Sequence, residues 1–176
     1  MIRRVLGLAA LAVCLAAAPQ HGASAQGAAD IFSGFQANST DPVEVDAQSL
    51  EIFEEGDQRI AVFGGGVEVR RGDTVIRAAS IKLYADIDAA SPDAFTRIEA
   101  NGDIFVRSGD QTVTGASAVV NMVDKSIVVG GGIVLAQGSN VISGSRLVVN
   151  MATGRARIEQ NQSGGRIRGV FAPGGS

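Results

Sequence analysis

From Asp41 onward, apolar residues fall at every second position in short runs, and the runs lack the 3.6-residue spacing of an amphipathic helix. Val43-Glu44-Val45-Asp46-Ala47 alternates, Gln48-Ser49 interrupts it, and Leu50-Glu51-Ile52 resumes it, which predicts a strand with a corner. Glu54-Glu55-Gly56-Asp57 predicts the turn that ends it. The unit then recurs around Ser80, Ser117 and Ser145, aligned on Ser49. The position four before the serine is aliphatic in each copy (Val45, Ile76, Val113, Val141), and so is the position three after it (Ile52, Leu83, Val120, Val148). The residue two before the serine is always small.

A second pair of strands lies between these corners. Ile60 and Val62 lead through Gly64-Gly65-Gly66 to Val67 and Val69; Ile98 and Ala100 lead through Asn101-Gly102 to Ile104 and Val106; Ile127 and Val129 lead through Gly130-Gly131-Gly132 to Ile133 and Leu135. Polar turns follow at Gly72, Gly109 and Gly138. The corner serines, at 49, 80, 117 and 145, repeat unevenly, with the longest insert at residues 86–94. Uneven turns between short strands suit an all-β antiparallel stack, with a parallel β-solenoid as the alternative. Either architecture places one aliphatic column per strand inside.

The N-terminus departs from this pattern. Arg3-Arg4 followed by the apolar run Val5 to Ala18 and the small-x-small site Ala23-Ser24-Ala25 predicts a cleaved signal peptide over residues 1–25. Leu11-Ala12-Val13-Cys14 is a poor lipoprotein box, because Val13 is bulky and the apolar run continues past Cys14. Residues 26–40 read as a flexible leader, 41–160 as one β domain, and 161–176 as a flexible Gly-rich tail. The arginines around that tail, Arg155, Arg157, Arg166 and Arg168, are either solvated or a contact for an anionic partner.

Composition narrows the chemistry. Cleavage would remove Cys14 and His21, the chain's one cysteine and one histidine, and with them thiol or imidazole catalysis and Cys/His zinc sites. It would also remove two of 15 basic residues and none of 18 acidic ones, leaving 13 against 18, a balance of about −5 that disfavours nucleic acid. The Gly-Gly-Gly runs lack the Lys-Ser/Thr of a phosphate loop. Asp86, Asp88 and Asp93 match no calcium-loop spacing and read as a solvated turn. No metal, cofactor or catalytic residue is expected. What remains is the set of aliphatic columns, and a two-sheet fold with an apolar gap between its faces would hold lipid chains.

The order of these segments, Asp41 to Ile52, Phe63 to Gly72, Ile76 to Leu83 and Ile127 to Met151, resembles the LptA/OstA-like family of lipopolysaccharide-transport proteins. The resemblance covers about residues 41–160. It implies an open antiparallel β-jellyroll, or β-taco, and a non-enzymatic periplasmic carrier whose groove shields the acyl chains of lipid A. It also implies end-to-end strand pairing with an inner-membrane-anchored OstA-like component and an outer-membrane translocon component, with head-to-tail self-association as a further possibility. The groove-lining residues taken from the columns are Val45, Ile76, Val113 and Val141; Ile52, Leu83, Val120 and Val148; Ile60, Ile98 and Ile127; and Val67, Val69, Ile104, Val106, Ile133 and Leu135. A one-residue slip in register would turn any of these strands inside out. A secreted β-solenoid acting on or binding polysaccharide, and a purely structural self-assembling β module, are the rival readings.

Overall fold

The computed structural model describes residues 41–88, 95–161 and 165–172. The signal segment, the leader, Asp93 and Ser163 lie outside them. Among the described residues ten strands form a single sheet: β1 (Glu44–Asp46), β2 (Ser49–Glu55), β3 (Gln58–Arg71), β4 (Thr74–Asp86), β5 (Phe95–Ser108), β6 (Gln111–Asn121), β7 (Ser126–Gln137), β8 (Asn140–Asn150), β9 (Arg155–Glu159) and β10 (Arg168–Val170). Every pairing is antiparallel and joins sequence neighbours from β3 to β8, which excludes the parallel solenoid. The sheet does not close: among the described residues β1 and β2 pair only with β3, and β9 and β10 only with β8.

Each long strand bends near its middle, and these bends stack; the β4–β5 ladder has a further register shift between Tyr84 and Ala85 near its end. The register shifts between Gly64 and Val67, Arg77 and Ser80, Asn101 and Ile104, Thr114 and Ser117, and Gly130 and Ile133. At each shift β3, β5 or β7 carries one residue more than its partner. Those extra positions take left-handed backbone at Gly65-Gly66, Gly102-Asp103 and Gly131-Gly132, where a β-bulge bends and twists a strand. At Gly102 the need for glycine is also steric, since an added Cβ would lie 2.6 Å from the Cβ of Ala79 on β4.

The line of bends divides the sheet into two arms. The first arm holds β2, β9 and the halves of β3 to β8 next to them; the second holds β1, β10 and the other halves. Six strands run through both arms, and each edge is made of two short strands. One buried cluster draws on both arms, including Val106 and Val113 from the second and Val129, Leu147 and Val149 from the first. The arms therefore fold with their apolar faces together, as in a jellyroll, and burying each such side chain contributes about 1.5–3 kcal/mol.

Three positions differ from the sequence expectation in which face they occupy. The corner column runs Ser49, Gly64, Ser80, Asn101, Ser117, Gly130, Arg146, Glu159. Its place on β8 belongs to Arg146, and Ser145 is the residue of the bend, like Ala79 and Ala116. That one-residue offset puts Ile142 and Val149 in the inner columns and turns Val141 and Val148 outward. On β3, Ala61 holds the place assigned to Ile60, which lies on the outer face between Phe53 and Tyr84. A further difference lies in the stretch expected to be a tail, where Arg168–Val170 forms β10. It pairs with Ser143, Ile142 and Val141, supplying partners for backbone groups that β8 would otherwise leave open on that side.

Candidate functional site: an apolar interior open at one edge

The inner face is built from columns that cross the whole sheet. In the first arm one column reads Leu50, Phe63, Ile81, Ala100, Ala118, Val129, Leu147, Ile158, and its neighbour reads Ile52, Ala61, Leu83, Ile98, Val120, Ile127, Val149, Ala156. In the second arm Val45, Val69, Ile76, Val106, Val113, Leu135 and Ile142 form one column, with Val67, Ala78, Ile104 and Ile133 beside it. The structure thus brings Val45, Ile52, Val67, Val69, Ile76, Leu83, Ile98, Ile104, Val106, Val113, Val120, Ile127, Ile133 and Leu135 onto one face. Ile60, Val141 and Val148 stand on the other.

Burial along these columns is graded. Val113, Val129 and Leu147 are fully enclosed, so the middle of the interior is filled by the protein's own side chains. At the N-terminal edge the same columns are open: Leu50 is 53% and Ile52 61% exposed. Beside them lies a cavity of about 250 Å³, lined chiefly by Leu50, Ile52, Phe63, Leu83, Ile87 and Phe95, with Arg59 and Asp86 at its rim. The inner face of the second arm ends in a polar row instead, where buried Thr74 donates to Ser108 Oγ at 3.1 Å and buried Gln111 follows.

Phe63, Ile81, Ala100, Ala118, Val129, Leu147 and Ile158 belong to this surface and are absent from the groove-lining residues expected from the columns. The signal for most was present: Ile81, Ala118 and Val129 each stand two residues from a position already chosen, on the same side of an alternating strand. Ile87, within the irregular insert, and Phe95, just after it, had no such signal.

Charge is confined to the outer face and the rims. Glu68 takes Arg77 Nε at 2.5 Å and also pairs with Arg70. The Arg77 contact, aided by Arg70, holds the Glu68 carboxyl below its ordinary range. The Arg77 guanidinium also lies 5.7 Å from the centre of the Phe105 ring. The Tyr84 hydroxyl donates to Glu99 Oε2 at 3.2 Å; partial burial, and then the Glu99 carboxylate, raise its pKa above the usual value. Arg146 donates through Nε and Nη2 to Glu159 Oε2 at 3.0 and 2.5 Å. No group of acidic, histidine or cysteine side chains suited to a metal ion occurs among the described residues. The arrangement offers an apolar surface suited to hydrocarbon.

A family model for the LptA and LptD N-terminal-domain LPS transport proteins matches residues 44–155, from β1 into β9. The chain belongs to this family. A protein of Rhizobium meliloti (strain 1021), uncharacterized protein R00383, is 31% identical over 172 residues, covering 95% of this chain and 89% of that one. The crystal structure of LptH from Pseudomonas aeruginosa, the LptA-homologous periplasmic component of that organism's lipopolysaccharide transport device, matches with a TM-score of 0.60 at 16% identity. The match covers 78% of this chain and all of LptH, and it establishes a shared fold. For a member of the LptA/LptD N-terminal family, the continuous apolar face and the two edges left open among the described residues are the features to be explained.

Proposed function

We propose that this chain is a periplasmic carrier that shields the acyl chains of lipopolysaccharide against its inner face and links inner- and outer-membrane transport components by strand pairing at its two edges. The observation that carries the reading is the pair of inner columns that are sealed at Val129 and Leu147 yet exposed at Leu50 and Ile52. Acyl chains entering there would meet aliphatic side chains, and each methylene kept from water is worth about 0.8 kcal/mol. The enclosed middle has to part for a chain to advance, so the hydrocarbon would replace side chains that now pack on one another. Moving from bilayer to groove exchanges one apolar surrounding for another, so direction must come from an energy-supplying partner. The carrier itself performs no reaction. The segment 1–25, read as a signal peptide, accounts for export.

The test is lipid extraction. The chain purified from membranes of its own host should carry lipopolysaccharide detectable by mass spectrometry, and the Leu50→Asp, Ile52→Asp variant should carry little while keeping its β-sheet circular dichroism. Depletion in cells should stall lipopolysaccharide at the inner membrane. Normal surface lipopolysaccharide after depletion, or equal lipid on the variant, would overturn the reading.

A further inference from the structure

The polar row at the end of the second arm holds an acceptor that the fold leaves alone. Arg71, Thr74, Ser108, Gln111, Gln137 and Asn140 stand side by side across β3 to β8, two residues along from the apolar column of Val69 and Val113. Ser108 Oγ accepts from Thr74 Oγ1 at 3.1 Å, and Asn140 Oδ1 accepts from the backbone N–H of Ala172 at 3.2 Å. Gln111 is only 9% exposed, yet its Oε1 meets no donor. Among the described residues it is the one buried side-chain oxygen or nitrogen without a partner.

Nothing in the packing calls for an amide at this place. A buried acceptor without a donor destabilises the fold, and an apolar side chain of similar size would remove that cost. The neighbours of Gln111 say what the amide could serve. Two residues along β6, on the same face, Val113 is fully enclosed. In the other direction the strand ends at once, in the Gly109-Asp110 turn. Gln111 therefore marks the point where the apolar interior stops. A hydrocarbon chain laid along Val113 would bring its polar head to this side chain, and an acceptor oxygen asks that head for an N–H or an O–H.

We propose that Gln111 Oε1 accepts a hydrogen bond from an amide N–H or a hydroxyl at the head of a bound acyl chain, and so selects such chains over chains whose heads carry neither. This rests on the reading that the inner face takes acyl chains, and adds to it a selectivity. The acceptor is enclosed in the empty carrier and is reached as the interior parts for a chain, the movement that reading already requires. A chain with no donor would leave the oxygen unpaired, which is how a buried polar group rejects an analogue that lacks its partner.

Matched amphiphiles test it on the purified chain, by titration calorimetry below their micelle concentrations. N-dodecanoylglycine has an amide N–H where N-dodecanoylsarcosine has N-methyl, and β-hydroxydodecanoate has a hydroxyl that dodecanoate lacks. The wild type should bind the donor-bearing member of at least one pair about tenfold more tightly, and the pair that shows the preference tells amide from hydroxyl. In Gln111→Met the preference should vanish, the donor-free members should bind as before, and the denaturant midpoint should not fall. Thr112→Val, on the outer face of the same strand, should keep the preference. Equal binding within both pairs, a preference that survives Gln111→Met, or a clear loss of stability in that variant would overturn the assignment and leave the lipid reading standing. A wild-type chain that binds none of the four would overturn both.

Discussion

Arg146 on β8 lies directly opposite Gly130 on β7, and its guanidinium reaches across to Glu159 on β9. Gly130 offers no side chain to cover it, so the arginine lies over the outer surface of the corner column. With Arg146 fixed outward, Leu147 must face the interior and Val148 the outside.

A photo-crosslinker at Val149 should therefore form an adduct with lipopolysaccharide, and the same group at Val148 should not. The readout is a shifted band carrying lipopolysaccharide on an immunoblot. Adducts at Val148 alone would place β8 in the other register.

Truncation discriminates the same two faces through stability. Leu147 is fully buried against the cluster that includes Val129, so Leu147→Ala should cost about 2–5 kcal/mol, the range for emptying an enclosed aliphatic site. Val148→Ala should cost less than about 1 kcal/mol, as for surface changes. Denaturant midpoints at constant slope measure both.

The bend gives a third expectation. Gly131 and Gly132 both have φ above +80°, a backbone that costs an L-residue about 1–2 kcal/mol. At Gly132 an added Cβ would meet open space, whereas at Gly131 it would run into Ala116 Cβ on β6. Gly131→Ala should thus destabilise clearly more than Gly132→Ala, measured by thermal unfolding of the two variants side by side.

Acid should weaken the Glu68 contacts. Because Arg77 and Arg70 hold this carboxyl below its ordinary value of 4.5, the folded state binds its proton less readily than the unfolded state. The contribution is present above pH 4.5 and is lost as pH falls from there through the lowered folded value. Melting temperature should fall more steeply below pH 4.5 in the wild type than in Glu68→Gln. The side chain is exposed enough to solvent for the effect to be small and to shrink with added salt.

Much of this was legible in the chain. Alternation around Ser49, Ser80 and Ser117 placed three strands in the correct column, because in each the polar neighbours, such as Glu51, Lys82 and Thr114, separate the two faces. It failed where polar markers were missing. Ser143-Gly144-Ser145 presents three small residues in a row, and Leu147-Val148-Val149 presents three apolar ones, so β8 reads equally well one residue either way. Ile60-Ala61-Val62-Phe63 has the same ambiguity, and there the smaller Ala61 takes the inner face while the larger Ile60 is buried on the opposite face between Phe53 and Tyr84.

Sequence by itself determined the elements: short β strands, corners at small residues, aliphatic columns along them, and arginines gathered after the last of these columns. These follow from local rules of period, turn chemistry and residue type, which need no knowledge of what lies opposite. Only the tertiary structure decided which side of β8 faces inward, that the interior is sealed at Leu147 and open at Ile52, and that Glu51 and Arg157 begin and end one column. Those are relations across the ladder. They depend on how bulges add residues in some strands and not in others, and a single added residue exchanges the two faces of a sheet.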